Sequence, residues 1–257
     1  MRRIDLNCDL GESFGAWSMG QDEAVLAEVS SANIACGFHA GDPDVMRRTV
    51  RLAAAHGVAI GAHPSLPDLQ GFGRREMSVS ADEAQALVLY QIGALSAFAK
   101  SSGVRLQHVK PHGALYNMAA RDDALACAIA AAVAEFDPEL ILVGLAGSAL
   151  LRAGQTAGLA VAAEAFCDRR YRRDGSLTPR REPGAVIHDI EEAVQQGLSI
   201  ALRGHAVAGD GSPVAIAADT LCIHGDKADA AAFARRLRAG LEQAGVTIAA
   251  PVAGARA

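Results

Sequence analysis

Four short stretches of this chain end apolar runs in titratable side chains beside glycine. They are Asn7-Cys8-Asp9-Leu10-Gly11-Glu12, Cys36-Gly37-Phe38-His39-Ala40-Gly41-Asp42, Gly61-Ala62-His63-Pro64 and His108-Val109-Lys110-Pro111-His112-Gly113. Burying such groups costs several kcal/mol each unless they are paired or at work. Strand ends converging on one mouth would give them a shared pocket.

Each stretch suggests its own chemistry. Asn7 and Asp9 point to one side of an extended segment and Glu12 follows in the Gly11 turn, so two carboxylates face one pocket. Neighbouring carboxylates push each other's pKa apart, a route to a general base beside an acid. Asp5 is read as structural, alternating away from Asp9. His39 sits in a glycine-flanked turn before a helix start, and His63 is held extended by Pro64. With Asp9 they make a candidate divalent-metal set, set against metal-free acid and base work. His108, Lys110 and His112 alternate and form the most specific local strip, with Lys110 suited to a substrate carboxylate or an oxyanion. Tyr116 is placed to orient a partner, and His224 faces the mouth after the last strand, with Asp226 capping the next helix. Arg74-Arg75 and Arg169-Arg170-Tyr171 are rim candidates for anion capture. A Cys36 nucleophile served by His39 is the weakest of these readings.

The elements that position these groups alternate from end to end. Strands are expected at Ile4 to Cys8, Ala32 to Cys36, Val58 to Ala62, Leu106 to Lys110, Leu140 to Leu145, Leu159 to Ala163 and Thr220 to Ile223. Helices are expected from Asp42 to His56-Gly57, from the Ser80/Glu83 capping box to about Ser101, and from Asp189 and Asp226. Phe166 to Gly184 reads as a long loop and Val207 to Pro213 as a turn. Active groups follow the first four strands and the last one. This favours an α/β fold of the TIM-like (β/α) barrel type with about seven strands over a doubly wound sheet with one switch point. One barrel domain over residues 1–250, with a frayed tail from 251 to 257, is expected.

Composition narrows the function classes. The 257 residues are 51% apolar and only 4% aromatic, and the net charge of -5 offers no attraction for a phosphate backbone or an anionic membrane. No uncharged run reaches the roughly 18 residues of a membrane span. The amino terminus meets Asp5 after one apolar residue, which argues against a secretory signal. Five cysteines without a Cys-x-x-Cys pair read as reduced thiols in a cytoplasmic protein. No phosphate loop and no dinucleotide-binding glycine motif is present.

The runs Asp5 to Gly15, Ser31 to Asp42, Gln70 to Arg75, His108 to Asn117 and Ala218 to Asp226 together resemble the LamB/YcsF family over nearly the whole chain. The resemblance implies a barrel similar to the glycoside hydrolase and deacetylase type. It also implies a part in ATP-dependent opening of the 5-oxo-L-proline lactam to L-glutamate, together with two partner subunits, B and C. On that reading Asp9 or Glu12 positions or deprotonates water, and His39, His63 or His112 protonates the ring nitrogen. Lys110 steadies the oxyanion, and Asn7, Arg74, His108, Tyr116, Arg170 and His224 bind substrate. Two alternatives stand beside it. One is a stand-alone metal-dependent deacetylase-type hydrolase using Asp9, His39 and His63; the other is a non-catalytic substrate-binding subunit.

Overall fold

The computed structural model describes residues 2–224 and 229–252. The chain runs β1 (Arg3–Leu10), α1 (Asp22–Leu26), β2 (Ser31–Ala35), α2 (Pro43–Ala55), β3 (Ala59–His63), α3 (Ala81–Ser101) and β4 (His108–Val109). It continues through α4 (Gly113–Ala119), α5 (Asp123–Phe136), β5 (Ile141–Leu145), α6 (Ala149–Thr156), β6 (Ala160–Phe166) and α7 (Ile190–Arg203). It ends with β7 (His205–Val207), β8 (Pro213–Ala215), β9 (Thr220–His224), α8 (Ala230–Gln243) and β10 (Thr247–Ile248).

Six parallel strands, β1 to β6, pair in chain order; β9 then pairs with both β6 and β1 and closes a seven-stranded barrel. The strands are short and almost wholly buried because helices cover the outside and side chains fill the inside. Alternate residues such as Leu6, Cys8, Ile34, Ile60, Val109 and Leu142 face outward into the main core beneath the helices. The seven expected barrel strands are all present, and the fold is α/β.

Helix starts follow their caps. Asp42 accepts from the backbone N–H groups of Asp44 and Val45 ahead of Pro43, Ser80 and Glu83 form the reciprocal box, and Asp189 accepts from Glu192 N–H. The expected Asp226 cap lies outside the described residues, as do positions 253–257 of the expected tail.

The sequence pattern marks no start for helices α4, α5 and α6, and four small elements also escape it. α1 has five residues, β10 has two and pairs with Arg3 and Ile4 at the foot of β1, and β7 and β8 flank the expected turn as a hairpin. Each is too short to carry a periodicity of its own. Asp5 corrects an expectation: four residues from Asp9 along a strand is the same face, so it points inward too. Its carboxylate accepts from the hydroxyls of Ser30, Ser31 and Thr220 at the bottom of the barrel.

Candidate active site

The inner face of β1 to β4 is a column of polar side chains above Asp5. Asn7 donates to Thr220 Oγ1 (2.6 Å), and Asn33 donates to Asn7 Oδ1 (2.7 Å) and Asp9 Oδ1 (2.9 Å). His108 spans the barrel with Nε2 2.8 Å from Asn33 Oδ1. Gly61 makes room for it, since a Cβ there would lie 2.1 Å from His108 Nε2. Lys110 ends the column, with Nζ 2.9 Å from Asp9 Oδ1, 2.7 Å from Glu164 Oε1, 3.2 Å from Asn7 Oδ1 and 3.3 Å from Cys222 Sγ.

The electrostatics follow from burial and these pairs. Burial works to lower Lys110, but Asp9, Cys222 and Glu164 outweigh it and hold the ammonium well above its ordinary range. Burial likewise works to raise Asp9, and His63 and Lys110 beside it hold the carboxyl well below the usual range, so it stays ionised. His108, buried and next to Lys110, is pushed down to about 3 and is neutral at working pH. All three protons of Lys110 are engaged by protein groups. Its immediate part is to fix and charge Asp9.

One layer higher, Glu12, His39, His63 and His112 converge, all buried, with one candidate ligand atom from each within 4.8 Å of the others. His39 Nε2 and His112 Nδ1 lie 3.5 and 3.6 Å from Glu12 Oε1, and His112 Nδ1 lies 3.0 Å from His63 Nε2. The His39 and His112 rings stack at 3.9 Å, 6° from parallel. Burial and the neighbouring histidines push both well below the ordinary imidazole value. Donor set and spacing fit a cation, but the set differs from the expected Asp9, His39 and His63. Asp9 Oδ1 is committed to Lys110 and Asn33, with Oδ2 3.4 Å from His63 Nε2, while Glu12 and His112 complete the group.

The loop after β3 roofs this cluster. Phe72 takes a left-handed backbone (φ 55°), uncommon for an aromatic residue, and its carbonyl meets His112 Nε2 at 2.9 Å. Asp68 holds the loop through the backbone N–H groups of Gly71 and Arg75 and the Arg75 guanidinium. At Gly73 (φ 63°) a side chain would collide with Ser65, His112 and His39. The cluster thus sits under a roof that only this loop geometry permits.

A cavity of about 1120 Å³ opens over the site, bordered by Asp9, Glu12, His63, Lys110 and His112 below and by an arginine-rich rim above. Arg74 lies over the Phe72 ring at 4.9 Å, and Tyr116 and His224 line the wall. His224 Nδ1 is 2.9 Å from Asp168 Oδ1, and Arg180 meets its Nε2 at 2.6 Å.

The structure brings Asp9, Glu12, His39, His63, Lys110 and His112 into one connected cluster. Arg74, Tyr116 and His224 face the cavity, whereas Asn7 and His108 lie beneath its floor and do not border it. Arg170 turns outward to pair with Glu192 and does not line the cavity, while its neighbour Arg169 faces in. Cys36 is buried and its thiol is pushed up to about 12 by burial, which leaves no thiolate to attack. Sequence reasoning missed Asn33, Glu164 and Asp168. Asn33 and Glu164 carried a signal, a polar residue at a strand position where its neighbours are apolar, whereas Asp168 lies in the turn after β6 and carried none.

Known proteins are similar to this chain in sequence and in fold. A family model described as LamB/YcsF matches residues 4–256. The chain is 65% identical over 249 residues to a Methylococcus capsulatus protein named as a 5-oxoprolinase subunit, covering 97% of this chain and 96% of that one. It is also similar to the crystal structure of a lactam utilization protein from Thermus thermophilus, with 55% identity, a TM-score of 0.92, and 97% and 100% of the two chains covered. The catalytic domain of a peptidoglycan N-acetylglucosamine deacetylase from Eubacterium rectale shares the fold alone, at 12% identity and a TM-score of 0.50, with 99% and 93% covered.

Proposed function

The chain belongs to the LamB/YcsF family, and on that premise we propose that it is the component of an ATP-dependent 5-oxoprolinase in which the lactam of 5-oxo-L-proline is opened to L-glutamate. It is a cyclic-amide hydrolase that works in the cytoplasm with two partner subunits, B and C. The observation that carries this reading is Asp9, an ionised carboxylate fixed by Lys110 and Asn33 at the floor of the cavity beside the Glu12 and histidine cluster.

A five-membered lactam is a resonance-stabilised amide whose opening in water is slow. ATP supplies the driving force by phosphorylating the carbonyl oxygen; water adds to the resulting imidate carbon, the C–N bond breaks to leave an acyl phosphate, and a second water releases glutamate and inorganic phosphate. Asp9 accepts a hydrogen bond from the first water and aims it. The proton that this water loses passes through Asp9 to the ring nitrogen, and Arg74, Tyr116 and His224 bind the substrate's polar groups from the wall. Lys110 keeps Asp9 charged and in place. Five unpaired cysteines support a reducing compartment, and no helix among the described residues is long and apolar enough to cross a membrane.

The test is reconstitution. The purified chain, both partner subunits, ATP and 5-oxo-L-proline are expected to yield glutamate in proportion to ADP, and omission of this chain to stop glutamate formation. Full glutamate yield without the chain would overturn the proposal.

A further inference from the structure

The tautomers of two histidines under the Phe72 roof are fixed from outside the cluster. Lys110 O is 2.7 Å from His63 Nδ1, and Phe72 O is 2.9 Å from His112 Nε2. A carbonyl only accepts, so both of those nitrogens carry hydrogen and donate. In the neutral rings the remaining nitrogens, His63 Nε2 and His112 Nδ1, both carry lone pairs, and they face each other at 3.0 Å. Two acceptors at that distance repel unless positive charge lies between them.

The third histidine agrees. His39 is buried with neither ring nitrogen in a hydrogen bond, and its Nε2 points at Glu12 from 3.5 Å. A buried imidazole in that state has a lone pair in want of a cation or a proton.

From these we infer that Glu12, His39, His63 and His112 bind one divalent transition-metal ion of the zinc class. The donor set, three imidazoles and one carboxylate, suits such an ion rather than magnesium or calcium. Three of the six donor separations, at 3.0, 3.5 and 3.6 Å, bracket the edge of roughly 3.3 Å that a tetrahedron of bonds near 2.0 Å requires, and all six lie within 4.8 Å. Backbone carbonyls on the far nitrogens of His63 and His112 are the usual outer support of a metal-bound imidazole. Glu12, His63 and His112 border the cavity and His39 closes the back, so the ion is approached from the substrate side. Asp9 stands outside the set. The inference does not depend on which substrate the cavity takes.

The experiment uses the purified full-length chain, stripped with a chelator and titrated with Co2+ and then Zn2+. Uptake is read by elemental analysis and by the visible absorption of four-coordinate Co2+, and the fold of each apo variant by circular dichroism. The expected result is one ion per chain, with the absorption band lost as Zn2+ displaces Co2+. Glu12→Gln and His112→Ala are expected to weaken Co2+ binding by at least about 100-fold, and Asp9→Asn by about tenfold, as for an outer neighbour. Arg170→Ala should change nothing. A folded wild-type chain that takes up no stoichiometric metal would mean a proton shared between His63 and His112 and would overturn the inference. So would a larger loss for Asp9→Asn than for Glu12→Gln.

Discussion

The inside of the barrel has two halves of opposite character. On β5 and β6, Ile141, Val143 and Ala162 form a small apolar cluster of their own, separate from the main core beneath the helices. On β1 to β4 the equivalent inward positions include Asp5, Asn7, Asp9, Asn33, His63, His108 and Lys110, joined by a chain of hydrogen bonds. The apolar half contributes packing, where each side chain acts nearly alone. The polar half is tolerable only as a satisfied network, because each group left unpartnered in a low dielectric costs far more than a lost methyl. Glu164 couples the halves by reaching from β6 to Lys110.

The sharpest way to break this contrast is Lys110→Met, which strands Asp9 and Glu164 without their shared cation. Unfolding in urea at neutral pH should show a loss of about 3–5 kcal/mol, with part of it recovered by adding Glu164→Gln. A loss below about 1 kcal/mol would mean that the network is not what holds this half.

Asp5 supplies a second, pH-dependent test. Burial outweighs the hydroxyls of Thr220, Ser30 and Ser31 and raises its carboxyl from 3.8 to about 6. The folded state therefore holds the proton more tightly than the unfolded chain between those values, and this contribution to stability is full below pH 3.8 and declines as pH rises towards about 6. The gap corresponds to up to about 3 kcal/mol. Relative to Asp5→Asn, the wild-type protein should lose that stability across the window; parallel pH profiles for the two would contradict it.

The smallest effect belongs to the apolar half. Ile141→Val should cost about 0.5–1.5 kcal/mol by thermal or urea unfolding and leave turnover of the reconstituted complex unchanged. A fall in turnover with no change in stability would place chemistry on the wrong side of the barrel.

Much of this was legible in the chain. Short apolar runs bounded by glycine marked the seven barrel strands, Asp42, Ser80 and Asp189 marked helix starts, and the period of two through His108, Lys110 and His112 put all three on the inner face. What stayed hidden depends on strand ends and on three dimensions. Reading the sixth strand as ending at Ala163 left Glu164 outside it, although β6 runs on to Phe166 and turns Glu164 towards Lys110. The exchange of Asp9 for Glu12 and His112 in the four-donor group follows from Lys110 occupying Asp9 across the barrel, a contact between positions 101 residues apart. The outward turn of Arg170 beside an inward Arg169 is set by the loop's own bonds to Thr178 and Ala185.

The central claim is that the polar half performs the lactam opening through Asp9. Its most direct test is the rate of glutamate formation by the reconstituted complex carrying Asp9→Asn, an isosteric change that keeps the contact to Lys110 and removes the charge. The predicted result is a fall on the order of 10²–10⁴-fold with the complex still assembled. Wild-type turnover from that variant would contradict the account.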